Sequence, residues 1–326
     1  MHATSRADLS AEPAADANDG ERYLESGVAM TITADAVKQL RERTGAGMME
    51  CKKALVEAGG NLDVAAELMR KQGLAKADKK ATRVAAEGSI VIERAADGRS
   101  AAIVEVNSET DFVAREEVFR AFAAAAAKLA LANRSTSVEA LMGVRTESGE
   151  TLDERRRALV AKIGENIAVR RLALVSAPSV LGSYLHGTRI GALVALQGGD
   201  ETIAKDLAMH VAASNPAYLT SEQVPADVVA KEREILSERT MAEGKPADMV
   251  PKIVEGKLRK FFAEVTLVGQ PFVKDDKITV EKLLKQGGAQ VVEYVRFEVG
   301  AGIEKKQADF AAEVMATVQG SGGPKH

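Results

Sequence analysis

The stretch SIVIERAADGRSAAIVEV, from Ser89 to Val106, decides the architecture. Ser89 to Glu93 alternates at the two-residue period of a strand, Asp97-Gly98 is a hairpin turn signal, and Ala101 to Val106 is the returning strand. A helical pattern follows over Glu116–Ala132 and another over Leu152–Ile163; Gly164 then precedes a strand at Ile167–Val175. The same order recurs further along. Leu181–Leu185, the turn His186-Gly187 and Ile190–Leu196 form a second hairpin, and Glu201–Ala213 a helix. Val280–Gln286 leads through Gly287-Gly288 into a strand at Gln290–Val299. An α+β chain built on two pseudo-repeated modules, 87–177 and 178–303, is the expected core.

The second module carries an insertion at 224–265. Val224–Met241 and Met249–Val265 are helical in pattern, and Gly244 and Pro246 lie in the short connection between them, which predicts an antiparallel helical hairpin. Val250, Val254, Leu258, Phe261 and Val265 form a coiled-coil-like seam along the second arm. That seam either packs within its own fold or contacts another chain.

Ahead of the core, residues 30–74 read as a three-helix bundle. Thr33 caps its first helix and Gly45 closes it; Met48–Ala58 is the second, and Asn61 caps a third that ends at Gly73. A charged linker is expected over 75–86, a helix within 304–319 and a flexible tail over 320–326. The first 29 residues carry six acids against two arginines, which suits neither a secretory signal nor a transit peptide. They read as a disordered acidic extension, with Met30 the expected native start.

Composition narrows the function. The chain has 326 residues, 46% hydrophobic and 28% charged, with a net charge of −3. No whole-chain basic surplus is present to neutralise phosphates, so direct nucleic-acid binding is not expected. A single cysteine, Cys51, excludes an internal disulfide and suits a reducing cytoplasm. No apolar run is long enough for a bilayer, so no membrane partner is expected. The four histidines and one cysteine offer no metal-ligand spacing, and Cys51 has no local base. Thr44-Gly45-Ala46-Gly47 follows a helix and lacks a Gly-Lys-Ser/Thr ending, so it reads as an interhelical turn and not a phosphate loop. These residues predict a protein without catalytic groups, cofactor or metal.

Three longer stretches point further: LRERTGAGMMECKKAL at Leu40–Leu55, EVNSETDFVA at Glu105–Ala114 and VLGSYLHGTRIGALV at Val180–Val194. VGQPFV and RFEVGAGIEK follow in order. This set resembles the elongation factor Ts family, the exchange factors of the GTPase elongation factor Tu. The resemblance runs from Met30 to Gln319; the acidic extension departs from it.

The resemblance implies a ubiquitin-associated-like bundle that docks on the GTPase, two core modules that complete the grip, and a hairpin, 224–265, able to mediate self-association. It implies that Phe112 wedges between helices of the GTPase while Thr110, Asp111 and Val113 help displace the magnesium environment. Ile163 and Gly164 match a contact loop, His186 a contact with the distal domain, and Lys52 a contact in the bundle. Each position also has a plainer reading. Thr110 or Asp111 is a helix cap and Phe112 a staple into the core, Gly164 a C-cap, His186 an exposed turn residue, Lys52 a solvated lysine. His210 reads as a packed core histidine. A helical scaffold and an RNA-binding ribosome factor using the basic strip Lys76–Arg83 stay open beside the exchange factor.

Overall fold

The computed structural model describes residues 32–304. The chain divides into two compact units at Gln72/Gly73, each described by itself. The fold is α+β.

The first unit holds α1 (Ala34–Thr44), α2 (Met48–Glu57) and the first part of α3 (Leu62–Lys80). Thr33 caps α1 by accepting the Ala36 N–H at 3.1 Å, and Gly45 closes it in the left-handed region at φ 68°, where a side chain would be strained. Asn61 Oδ1 accepts from the Asp63 and Val64 amides and starts α3. Val37, Leu40, Cys51, Ala54, Leu55 and Ala65 form the core, so Cys51 is a buried packing residue.

The expected linker 75–86 is corrected in part: α3 does not stop at Gly73 but continues to Lys80. A helical glycine costs only about 1 kcal/mol, so Gly73 is no stop signal by itself. A Cβ there would meet the Ala161 methyl at 3.2 Å, so glycine admits the second unit's close packing at this point. The expected C-terminal helix, the acidic extension and the tail all lie outside the described residues.

The second unit begins its sheets with β1 (Glu87–Arg94) and β2 (Ser100–Ser108). Next come α4 (Asp111–Arg115), α5 (Glu117–Ala132), α6 (Val138–Met142), α7 (Leu152–Ile163) and β3 (Ile167–Ser176). The second module has β4 (Val180–His186), β5 (Ile190–Gly198) and α8 (Glu201–Ser214). The insertion supplies α9 (Ala226–Ala242) and α10 (Val250–Val265). The chain then forms β6 (Pro271–Phe272), β7 (Asp275–Thr279), α11 (Val280–Gln286) and β8 (Ala289–Glu298). The short α6 and the β6–β7 hairpin were not legible in the sequence. Among the described residues no helix is long and apolar enough to cross a membrane.

Two antiparallel sheets, ordered β1-β2-β3 and β4-β5-β8, pack face to face. The alternation of β2 and β5 shows why both central strands are apolar throughout. Ile103 and Leu193 enter the layer between the sheets, while Val104 and Val194 face the helices outside. The modules match in register. Each central strand is bulged at one place, Glu105/Val106 in β2 and Ala195/Leu196 in β5. Thr110 then caps α4 and Asp200 caps α8, each two residues past the strand end.

Glu105 locks the module junction. Its carboxylate is buried, accepts from Arg170 at 3.1 Å and Arg171 at 2.5 Å, and takes the Gly300 N–H at 2.8 Å. Burial alone would raise its pKa, yet the Gly300 amide and the two guanidinium groups together hold it below the ordinary carboxylate value. Arg171 also donates to Glu298 O and lies over the Phe297 ring at 4.2 Å, so the same side chain grips β8.

The hairpin seam closes on itself. Val250, Val254 and Leu258 are buried against Val229 and Leu236 of the other arm, with Phe261 and Phe262 beside them. The apolar stripe read from the sequence is therefore used inside the hairpin, and the charged residues take its outer faces.

Candidate functional site

Glu109 to Arg115 forms the most exposed apolar feature of the first module. Thr110 has extended backbone and caps α4, its Oγ1 accepting the Val113 N–H at 3.4 Å. The helix lasts five residues because Glu116 breaks it at ψ 138° before α5 begins. This short turn sorts its side chains sharply. Phe112 is 75% exposed, whereas Val113 is buried in the module core against the α5 side. Asp111 pairs with Arg115 one turn on at 2.7 Å, and both remain accessible.

Two expectations change here. The cap reading and the exposed reading hold together: Thr110 is a cap, but Phe112 is not a staple into the core. Val113 is corrected, because its side chain belongs to the core cluster and has little surface to offer a partner.

The α7–β3 corner sits directly on this turn. Thr151 and Glu154 start α7 with a capping box, and Gly164 ends it in the left-handed region at φ 89°. Glu165 then accepts the Thr110 N–H at 3.0 Å and its hydroxyl at 2.8 Å. The Asn166 N–H donates to Glu109 at 2.6 Å, and Glu109 also meets Arg83 at 3.2 Å. Ile163 is half-buried beneath, and the Gly164 carbonyl accepts from Lys80. The structure therefore brings Thr110, Asp111, Phe112, Ile163 and Gly164 onto one corner. Glu109, Glu165, Asn166 and Arg115, which complete it, were missed from sequence; the first three have partners 26 to 85 positions away, beyond the reach of a local motif, whereas the four-residue spacing of Arg115 from Asp111 could have marked that pair.

His186 lies elsewhere, at the tip of the β4–β5 hairpin. It is exposed, with Tyr184 on the same strand face and the rings 6.4 Å apart. The following turn is tied down by Thr188 O accepting the Ile90 N–H at 2.8 Å and by Arg189 pairing with Glu87 at 2.6 Å. Lys52 belongs to the first unit. It is exposed on α2 between Met48 and Val56, one turn to either side, and both of those apolar side chains face solvent. Met48 and Val56 were not singled out from the sequence, although their four-residue spacing from Lys52 could have marked the face.

His210 is the buried histidine of α8. Its Nδ1 accepts the Val273 N–H at 3.2 Å, so the proton sits on Nε2 and is donated to Gln270 Oε1 at 3.0 Å. Burial holds its pKa below the usual imidazole value, and the group is a neutral packing element. Among the described residues no group of three or more His, Cys, Asp or Glu side chains is placed to hold a metal.

The geometry is that of a presenting surface: an exposed aromatic on a short, pinned turn. Comparison with known proteins gives it a family. A profile described as Elongation factor TS matches residues 109–301, beginning at this turn. The chain belongs to the elongation factor Ts family. Elongation factor Ts of Methylococcus capsulatus is 59% identical over 293 residues, covering 90% of this chain and 100% of the relative. The protein of the same name from Francisella tularensis subsp. novicida is 58% identical over 289 residues, 89% of this chain and 99% of its own length. That of Alkalilimnicola ehrlichii is 56% identical over 293 residues, with 90% and 100% covered. Membership of the elongation factor Ts family makes this chain a translation elongation factor.

Proposed function

We propose that the chain binds elongation factor Tu in its GDP form and speeds the release of GDP, so that GTP can replace it. It does so in the cytoplasm, by binding alone, with no covalent chemistry of its own. The observation that carries the reading is Phe112, three-quarters exposed on a turn that the rest of the module holds in place. Leaving a phenylalanine in water forgoes roughly 1.5–3 kcal/mol of burial, which a partner can recover.

The physical problem is linkage. Magnesium and GDP hold the GTPase closed, and a ligand that favours the open state must weaken GDP by the factor by which GDP weakens that ligand. Reversing a strong bias takes about 5.5 kcal/mol of differential binding, which a single exposed ion pair cannot supply. A broad interface, on the order of 1,600 Å², is required, with a few anchors placed to do the prying. Phe112 serves as the rigid wedge, because an aromatic buries much surface while ordering few torsions. Asp111, released from Arg115 or presented with it, perturbs the magnesium environment. Ile163 and Gly164 brace the same contact, while His186 and Lys52 add separate contacts from the β-hairpin and the bundle.

The test is direct. Elongation factor Tu loaded with labelled GDP is mixed with the chain in the presence of excess unlabelled nucleotide. Release accelerates with chain concentration on this reading; an unchanged rate contradicts it.

A further inference from the structure

The internal repeat exposes a feature that the fold itself does not need. In the first module the two residues before β3 are Glu165 and Asn166; in the second, the two before β8 are Gly287 and Gly288. β2 and β3 pair as β5 and β8 do, with Ser108 opposite Ile167 and Gly198 opposite Ala289. The positions are therefore equivalent. One module builds a clamp where its sister carries two glycines and still forms the matching sheet, followed by a continuous helix, α8, of 14 residues in place of the five-residue α4.

The clamp acts on Thr110. Glu165 takes both the backbone and the hydroxyl hydrogens of that residue, at 3.0 and 2.8 Å. Ser108 donates to the Thr110 carbonyl at 2.9 Å, and the Thr110 Oγ1 accepts the Val113 N–H at 3.4 Å. Apart from the cap and a long Ala114 N–H bond to its carbonyl at 3.5 Å, the polar groups of Thr110 are thus held from outside α4. In the second module Asp200 caps α8 with its own carboxylate, accepting the Ile203 N–H at 2.9 Å, and among the described residues no second carboxylate accepts from it. Ordering a helix's first turn fixes about six dihedrals in return for one hydrogen bond, so a five-residue helix cannot sustain itself. Nor does Phe112 help, since its ring is outside the core. The orientation of that ring therefore comes from Val113, packed in the core beside it, together with the anchors at the ends of the turn.

We infer that Glu165 is a positioning residue for nucleotide exchange: it holds Thr110, and through Thr110 it fixes the α4 turn that presents Phe112 to the GTPase. Asn166 fastens the other side of the corner, donating from its amide to the carbonyls of Ala81 and Arg83 at 3.3 and 2.7 Å. The turn is thereby preorganised, so ordering it is not charged against binding. The inference rests on the exchange reading above.

A double-mutant cycle separates positioning from plain stability. Stimulated GDP release is measured for the full chain and for Glu165→Ala, Glu165→Gln, Phe112→Ala and the Glu165→Ala/Phe112→Ala pair, each with its melting temperature. Loss of the charge-assisted pair lowers exchange efficiency by roughly tenfold in Glu165→Ala, and less in Glu165→Gln, which keeps one acceptor. On the Phe112→Ala background the same change lowers it by less than about twofold, because the ring it positions has gone. Equal losses on both backgrounds, full activity of Glu165→Ala, or unfolding of both Glu165 variants at the assay temperature overturns the inference while leaving exchange intact. Phe112→Ala as active as the unaltered chain removes Phe112 as the wedge, and the positioning role with it.

Discussion

Phe112 occupies in the first module the position that Thr202 occupies in the second, each two residues past its helix cap. Both side chains are exposed, and one is a large aromatic where the fold accepts a small polar residue. The repeat thus supplies its own control: nothing in the architecture asks for phenylalanine there.

Phe112→Thr, which copies the second module, leaves the melting transition close to unchanged, within about 0.5 kcal/mol. It lowers affinity for elongation factor Tu by roughly 30-fold or more if Phe112 is an interface anchor worth about 2 kcal/mol. Calorimetric titration together with thermal melts checks both halves.

The Glu105 node has an acid signature. Its carboxyl is held below the ordinary value of 4.5 in the folded chain, so the unfolded chain takes up its proton first as pH falls. The stabilisation is complete above that ordinary value and is lost as pH drops through the lower folded value. Denaturant titrations from pH 6 to 3 show the decline. Glu105→Ala flattens that decline and costs about 3–5 kcal/mol at neutral pH, since it strands the Gly300 amide and two arginines at the junction.

His210 gives a second, separate window. Because burial lowers its pKa, the unfolded chain again binds the proton more readily than the folded one. Stability is full above the ordinary imidazole value of 6.5 and declines as pH falls from there towards the folded value. Protonation at Nδ1 costs the Val273 hydrogen bond and loosens the turn of the β6–β7 hairpin. A His210→Gln chain, titrated with denaturant between pH 7.5 and 5, lacks that slope.

Leu258→Ala opens the seam between α9 and α10, at a cost of about 2–5 kcal/mol to whatever unit unfolds with it. The hairpin has its own apolar cluster, apart from those of the two sheets. Hydrogen exchange therefore accelerates in α9 and α10 and stays slow in α5 and α8.

The elements whose signal is periodic could be read from the sequence. α7 and α11 start and end as read, because caps at Thr151 and Thr279 and the glycines at 164 and 287 punctuate an apolar pattern. The β6–β7 hairpin was invisible, since Pro271–Phe272 is too short to alternate and its pairing is bulged. α3 ran past its expected end because a glycine within a helix costs only about 1 kcal/mol, too little to stop it. At the site, the residue pattern alone read Phe112 as a staple into the core; the family resemblance pointed to a ring turned outward, and neither pointed to what holds it. Glu165 meets Thr110 across 55 residues, a contact that only the register of β2 with β3 creates. The resemblance grouped Val113 with Phe112 as one stretch, yet a helical turn sends successive side chains to different faces.

The most direct measurement is the equilibrium affinity of elongation factor Tu for GDP, with and without a saturating amount of this chain. Exchange by linkage predicts that GDP weakens, by up to roughly 10,000-fold for the full differential of about 5.5 kcal/mol, and that GDP weakens binding of the chain by the same factor. An unchanged GDP affinity in the saturated complex would contradict the account, because a ligand indifferent to the two states cannot shift them however tightly it binds.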